Sequence, residues 1–299
     1  VVASLAEGAD LRTLPGVVFR HDDDRIQVNG APVAAKFTGL PPLSWPAEWV
    51  SRHRHHHHRF DLPEGAEVGP GAEVEASRGC PFNCSFCAKE NFRDKYRRRD
   101  LGILLDEIDG LIAQGAEYLY FVDEIFLPDA ALLEALVERP VKFGVQTRID
   151  LWKHDMIELL GRAGCVSIEA GMESLTREGR DLLDKKCRMD TDDLTERLVF
   201  AKRHVPFVQA NLIEVSTDDD AEVQRWRDHV RSQGVWANDP VPLFPYPGSP
   251  DYGKLWGRPD DFAWERALHH YLTQFHDFSD IQEDQPLPLQ VLEGQEAAE

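Results

Sequence analysis

From residue 73 onward, apolar side chains follow two rhythms in turn. Short runs rich in β-branched and aromatic residues predict strands at EVEAS (73–77), EYLYFV (117–122), VKFGVQ (141–146), CVSIEA (165–170) and FVQANLIEV (207–215). VWANDPVPLFP (235–245) reads as a sixth strand with its following loop. Between them the apolar spacing lengthens to three and four, which predicts helices. LGILLDEIDGLIA (101–113) places Leu101, Leu104, Leu105, Ile108, Leu111 and Ile112 on one face. DAALLEALVE (129–138) starts behind Pro128 and at Asp129, and KHDMIELLGRAG (153–164) ends on glycine. Residues 176–203 hold helical turns, including LTERLVFAKRH, and 219–233 a further helix. Six strand–helix alternations predict an α/β fold with a parallel sheet and helices outside. Periodicity is compatible with both an open doubly wound sheet and a curved partial barrel.

The chain before this region is irregular. Val17–Arg20 and Arg25–Val28 suggest a small hairpin. GLPPLSWPAEW reads as an extended segment docked by Trp45 and Trp49. RHRHHHHRF, Arg52 to Phe60, fits a solvated loop, a substrate or cofactor contact, or an adventitious metal site. Three divisions follow: a leader or linker over 1–70, a core over 71–255, and a helical extension and tail over 256–299. The end of that tail, EDQPLPLQVLEGQEAAE, is expected to be peripheral.

Composition narrows the functional classes. Of 299 residues 42% are hydrophobic, enough for a sizeable core. Thirty-three basic against 53 acidic residues give a net charge of -20, which opposes a nucleic-acid partner. The main basic run is Lys89, Arg93, Lys95, Arg97, Arg98 and Arg99. It suits an anionic substrate, a cofactor tail or a reductase, and equally a solvated helix start. No run of 18 apolar residues suggests a membrane span, and no signal peptide is expected. The first residue is Val rather than Met, so an upstream part of a longer protein is expected to be missing. The five cysteines are odd in number and clustered, which fits a metal site in a reducing, cytoplasmic setting better than a disulfide scaffold.

Three of those cysteines carry the chemistry. SRGCPFNCSFC sets Cys80, Cys84 and Cys87 in a C-x3-C-x2-C spacing just after the first strand. Three thiolates hold three corners of a cubane iron–sulfur cluster and leave the fourth iron free to bind another molecule. A structural zinc would need a fourth ligand, from His53 to His58 or Cys165. Cys165 and Cys187 read as ordinary buried thiols.

With Phe86 before the third cysteine, this motif resembles that of the radical S-adenosylmethionine (SAM) superfamily, C-x3-C-x-aromatic-C. The resemblance covers residues 73 to about 255. It implies a partial (β/α)6 TIM-like barrel with a [4Fe-4S] cluster on Cys80, Cys84 and Cys87. It also implies reductive cleavage of S-adenosyl-L-methionine to methionine and a 5′-deoxyadenosyl radical. Strand ends on the C-terminal face then carry the site. Glu124 stands where the family's backbone binds the cosubstrate amino group, but Val122, Asp123 and Glu124 replace the usual Gly-Gly-Glu. Asp123 or Glu124 could instead cap a helix or form a salt bridge. Gln146 and Arg148 share parity at the end of strand three. Arg148 would meet the cosubstrate carboxylate or an internal acid. Glu169 and Ser174, around a turn at Gly171, resemble an element that contacts the ribose or methionine part. A buried carboxylate capping a helix is the alternative for Glu169. Strand five would line the adenine region.

PLFPYPGSPDY resembles a loop of cobalamin-dependent radical enzymes and of methylthiotransferases. This branch implies cobalamin as a further cofactor, and methylation of an unactivated carbon of a small-molecule substrate. Oxidative cyclisation or another rearrangement is the alternative reaction, and a non-catalytic metal-binding protein the alternative class. The implied partners are an electron donor such as flavodoxin or ferredoxin and an upstream or separate cobalamin-binding domain. The first 70 residues hold too little regular structure for that domain.

Overall fold

The computed structural model describes residues 6–30, 39–53, 69–89 and 95–274. Two compact units result, Val1–Leu40 and Pro41–Glu299. In the first, β1 (Val18–Arg20) pairs antiparallel with β2 (Ile26–Val28). Asn29 donates from its side chain to the carbonyls of Leu11 and Leu14, both at 2.7 Å. Val18, Ile26 and Val28 stay exposed, so the hairpin rests on hydrogen bonds rather than on a core.

The second unit begins with α1 (Ala47–Arg52). The expected extended segment gives way to this helix after Pro46, because AEWVSR contains no further proline. Val50 is its buried residue, whereas Trp49 is 59% exposed and Trp45 36%. Neither tryptophan therefore docks the segment as expected. Six strands follow in one sheet: β3 (Gly71–Val74), β6 (Tyr118–Phe121), β7 (Lys142–Thr147), β8 (Cys165–Glu173), β9 (Phe207–Leu212) and β10 (Trp236–Ala237). A separate ribbon, β4 (Ser77–Arg78) and β5 (Arg97–Arg98), lies between β3 and β6 in the chain. All pairings in the six-stranded sheet are parallel, and strands adjacent in the sheet follow one another along the chain. The order never reverses, so the sheet has no switch point and is not doubly wound.

The crossovers are α2 (Leu101–Ala113), α3 (Ala130–Val137), α4 (His154–Arg162), α5 (Arg177–Leu182) with α6 (Thr191–His204), and α7 (Asp220–Ser232). Two helices close the described chain, α8 (Pro250–Trp256) and α9 (Ala263–Leu272). Alternation assigns the two faces of the sheet. Phe121, Phe143, Val145, Ile168 and Val208 enter the main core with Ile108 of α2 and Leu133 of α3. The opposite parity is polar: Tyr120, Gln146, Glu169, Gln209 and Asn211.

Two elements depart from the periodicity. The sixth strand shrinks to two residues plus an isolated bridge between Ile213 and Val241. Pro240, Pro242 and Pro245 remove backbone donors there. Asn238 takes the place of ladder partners, accepting from Leu212 N at 2.7 Å and donating to Leu212 O at 3.0 Å. The end of the basic run is not a helix start. Arg97 and Arg98 form β5, and Arg99 is buried in an ion pair with Glu107 at 2.7 Å. Residues 90–94 of that run lie outside the described residues, as do 54–60 of the histidine-rich run and the tail from 275.

Candidate active site

The cysteine loop hangs from the C-terminal end of β3 and is fastened to residues just after β6. Asp123 accepts from Ala76 N at 2.9 Å and from the Ser77 hydroxyl. Glu124 Oε2 accepts from Gly79 N at 2.7 Å. Neither acid caps a helix; Asp129 caps α3. Gly79 has φ 81°, a left-handed turn that glycine adopts without strain. Two neighbouring carboxylates thus clamp the chain immediately before Cys80.

Cys80, Cys84 and Cys87 are half-buried free thiols. Burial pushes the Cys80 thiol up, opposed by a backbone hydrogen bond at Phe82 and by Lys89 and Arg148, while Cys87 adds to the push. Burial pushes Cys84 up to about 11, opposed most strongly by Lys185 and also by Arg148. Among the described residues, no three His, Cys, Asp or Glu side chains converge as a single metal ion requires. A cubane asks for less, because each thiolate binds its own iron. Three thiols on one loop, two of them raised in part by a sibling and lowered by cations, fit an anionic cluster. Phe86 is half-buried on the same loop. Cys165 and Cys187 are buried, at 2% and 1% exposure.

Ser85, between the second and third cysteines, ties the loop to two further elements. Its N–H donates to Leu183 O at 2.9 Å, and its hydroxyl donates to Asp251 Oδ2 at 2.8 Å. Asp251 N returns a bond to Ser85 O at 3.0 Å, so the start of α8 is held against the loop. Arg148 lies over the Phe82 ring, 4.0 Å from its centroid. Its Nε and Nη2 donate to Asp150 at 3.1 and 2.8 Å, and Nη1 to Lys185 O at 2.8 Å. Arg148 is thus held in an internal ion pair with Asp150.

A second group lies on the polar face of the sheet. Register places Gln146, Glu169 and Gln209 side by side on β7, β8 and β9. Glu169 is 5% exposed and accepts from Tyr120 Oη at 2.8 Å and from Gln146 Nε2 at 3.3 Å. Burial and the Glu169 carboxylate raise the Tyr120 phenol, which stays a donor. Gln209 donates to Asn211, but its Oε1 and the Ser167 hydroxyl are buried with no hydrogen-bond partner among the described residues. Such atoms fit a ligand carrying hydroxyl or amino donors, as a nucleoside does.

Ser174 is not part of this group. Its hydroxyl donates to Asp218 Oδ1 at 2.7 Å, and Asp218 also receives Leu175 N and Thr176 N. Gly171 is not a turn but lies within β8, where a Cβ would come 2.5 Å from Glu173 Oε1. Tyr120, Gln209, Lys185 and Asp251 were missed in the sequence. The parity of Tyr120 in EYLYFV was a usable signal; Lys185 and Asp251 carried none.

Residues 74–226 match the family described as the radical SAM superfamily. The chain belongs to the radical SAM superfamily. It is 26% identical over 230 residues to bacteriochlorophyllide d C-12(1)-methyltransferase of Chlorobaculum tepidum, covering 72% of this chain and 49% of that protein. It is 27% identical over 187 residues to the anaerobic magnesium-protoporphyrin IX monomethyl ester cyclase of Cereibacter sphaeroides, covering 58% of this chain and 29% of that one. Among solved structures, the radical SAM methyltransferase TsrM from Kitasatospora setae, with tryptophan and a SAM analogue bound, superposes with a TM-score of 0.59. It is 18% identical and covers 83% of this chain and 50% of its own. The chain thus spans half or less of the length of these radical SAM relatives. Among the described residues no helix is long and apolar enough to cross a membrane.

Proposed function

We propose that this chain is the catalytic barrel of a cobalamin-linked radical SAM enzyme that methylates an unactivated carbon of a small, flat-ringed molecule. The observation that carries the reading is the cysteine loop: three half-buried thiols beside Lys185, Arg148 and Lys89, at the C-terminal end of the first sheet strand. On this reading residues 71–255 form a partial (β/α)6 barrel, for which the sequential all-parallel strand order is the support. Cys80, Cys84 and Cys87 hold a [4Fe-4S] cluster, which when bound supplies the electron that splits S-adenosyl-L-methionine.

The chain's own residues do the rest. Asp123 and Glu124 fix the loop's approach to Cys80 through Ala76, Ser77 and Gly79. Glu169, oriented by Tyr120 and Gln146, accepts the hydroxyls of the cosubstrate ribose, and Gln209 Oε1 and Ser167 receive further donors. Burial of Glu169, Gln209 and Ser167 keeps water from a reactive radical. Substrate enters beside α8. Phe244 lies 4.7 Å from Tyr246 and 5.1 Å from Tyr271 between ring centroids, and Trp264 stands 6.2 Å from Tyr246. Tyr246 and Trp264 are 46% and 62% exposed, so they offer ring faces to a planar ligand. Matches to both a methyltransferase and a cyclase that act on tetrapyrroles keep oxidative cyclisation as the second reading.

Anaerobic reconstitution tests the proposal. Four irons and four sulfides per chain, and 5′-deoxyadenosine on adding reductant and S-adenosylmethionine, are expected. Serine at Cys80, Cys84 or Cys87 should abolish both. One zinc and no sulfide in the wild type would overturn the reading. Hydroxocobalamin with tryptophan or magnesium-protoporphyrin monomethyl ester as probes then separates methylation, a gain of 14 Da, from cyclisation by mass spectrometry.

A further inference from the structure

Among the described residues, four non-glycine residues have left-handed backbone, and three of them surround one side chain. Asp184 (φ 51°) and Lys186 (φ 55°) flank Lys185, and Glu173 (φ 64°) is its ion-pair partner. A residue with a Cβ avoids this conformation, and it persists only where the surroundings impose it. The Lys185 side chain is 2% exposed; its ammonium donates to Gly171 O at 2.9 Å and to Glu173. The glycine at 171 leaves the room that Glu173 needs.

This segment is joined to the cysteine loop on both sides of Cys84. Ser85 N bonds Leu183 O, and Arg148 bridges the Phe82 ring to Lys185 O. The nearby charges acting on Cys84 are Lys185, Glu173 and Arg148, with Lys185 first, together with the Cys80 thiol. A buried ammonium is costly to keep. A cluster on three thiolates is anionic and gains one more negative charge on reduction. A fixed cation beside it favours the reduced form, and a fixed anion opposes it.

We propose that Lys185 is a positioning residue for the redox step, whose buried ammonium raises the reduction potential of the cluster, with Glu173 setting how far. The proposal rests on the reading that Cys80, Cys84 and Cys87 hold that cluster. The full chain is reconstituted anaerobically, its iron and sulfide are counted, and the cluster is titrated with dithionite under electron paramagnetic resonance. Lys185→Met should lower the midpoint, cutting the reduced-to-oxidised ratio at a fixed potential on the order of tenfold, about 59 mV for one electron. Glu173→Gln should raise it, and Lys185→Arg should stay near wild type. A purely structural pair would move Lys185→Met and Glu173→Gln the same way, or cost both their cluster. Either result overturns the proposal, as do unmoved midpoints at full cluster content. Should Lys185→Met fail to fold, a Glu173→Gln midpoint that does not rise overturns it alone. A wild type without four irons and four sulfides instead sinks the underlying cluster reading, and this inference with it.

Discussion

Burial raises the Asp123 carboxyl to about 7, against hydrogen bonds from Ser77 and Ala76. Its ordinary value is 3.8, so between pH 4 and 7 the unfolded chain ionises this group while the folded chain keeps it neutral. Stability from this group is full below pH 3.8, falls as pH rises, and levels off above about 7. Urea denaturation of wild type and Asp123→Asn across pH 4.5–8 should diverge accordingly, by no more than about 4 kcal/mol. Parallel profiles would mean that the carboxyl ionises normally. Glu169 and Arg148 separate at the same scale. Glu169→Gln should weaken S-adenosylmethionine binding about tenfold, 1.4 kcal/mol by calorimetry. Arg148→Met leaves Asp150 buried without its cation, and should cost about 3–5 kcal/mol of stability before any effect on the cosubstrate. Wild-type stability in Arg148→Met would contradict the buried-pair reading.

Among the elements, α2 shows how periodicity hides a polar contact. Its apolar face was legible, but Glu107 lies buried at 1% exposure between those positions. It accepts from Arg99 at 2.7 Å and from Leu43 N at 2.6 Å. Glu107→Ala would strand the Arg99 guanidinium, and denaturation should register a loss of about 3–5 kcal/mol. Replacing both residues by Met and Leu should recover much of that loss. The start of α7 makes a smaller test. Asp219 accepts from Glu222 N at 2.9 Å as N-cap, and Asp219→Ala should cost about 1 kcal/mol. A change near zero would show that water replaces the cap.

At the scale of the whole molecule, we propose that these residues bind a corrinoid on one face only. Up to residue 70, the described residues supply a hairpin, a 3-10 turn (Leu11–Thr13) and one short α-helix, far less than the several strands and crossover helices of a nucleotide-type domain. A domain outside this chain, or on another, would cover the other face. Hydroxocobalamin added to the chain should therefore be lost on gel filtration, as followed by its visible spectrum. Tight one-to-one retention would refute the need for that domain.

Local chemistry was legible because it is short-range. C-x3-C-x2-C sits on one loop whatever the rest of the chain does, and a 3.6-residue repeat predicted α2 over 101–113, where it lies. Strand alternation likewise announced a parallel sheet. The length of β10 was less legible, because its prolines required Asn238, rather than a longer ladder, to close the edge. The choice between doubly wound and sequential order waited on strand register, which depends on contacts between residues tens of positions apart. The same holds for the site. Sequence by itself determined the three thiols, the acids after β6 and the parity of Glu169. Only the tertiary structure decided that Arg148 pairs with Asp150, that Ser174 turns to Asp218, and that Arg148 ties the Lys185 carbonyl to the cysteine loop. A buried charge takes the partner that packing leaves within reach, and that partner's distance along the chain leaves no trace in spacing or periodicity.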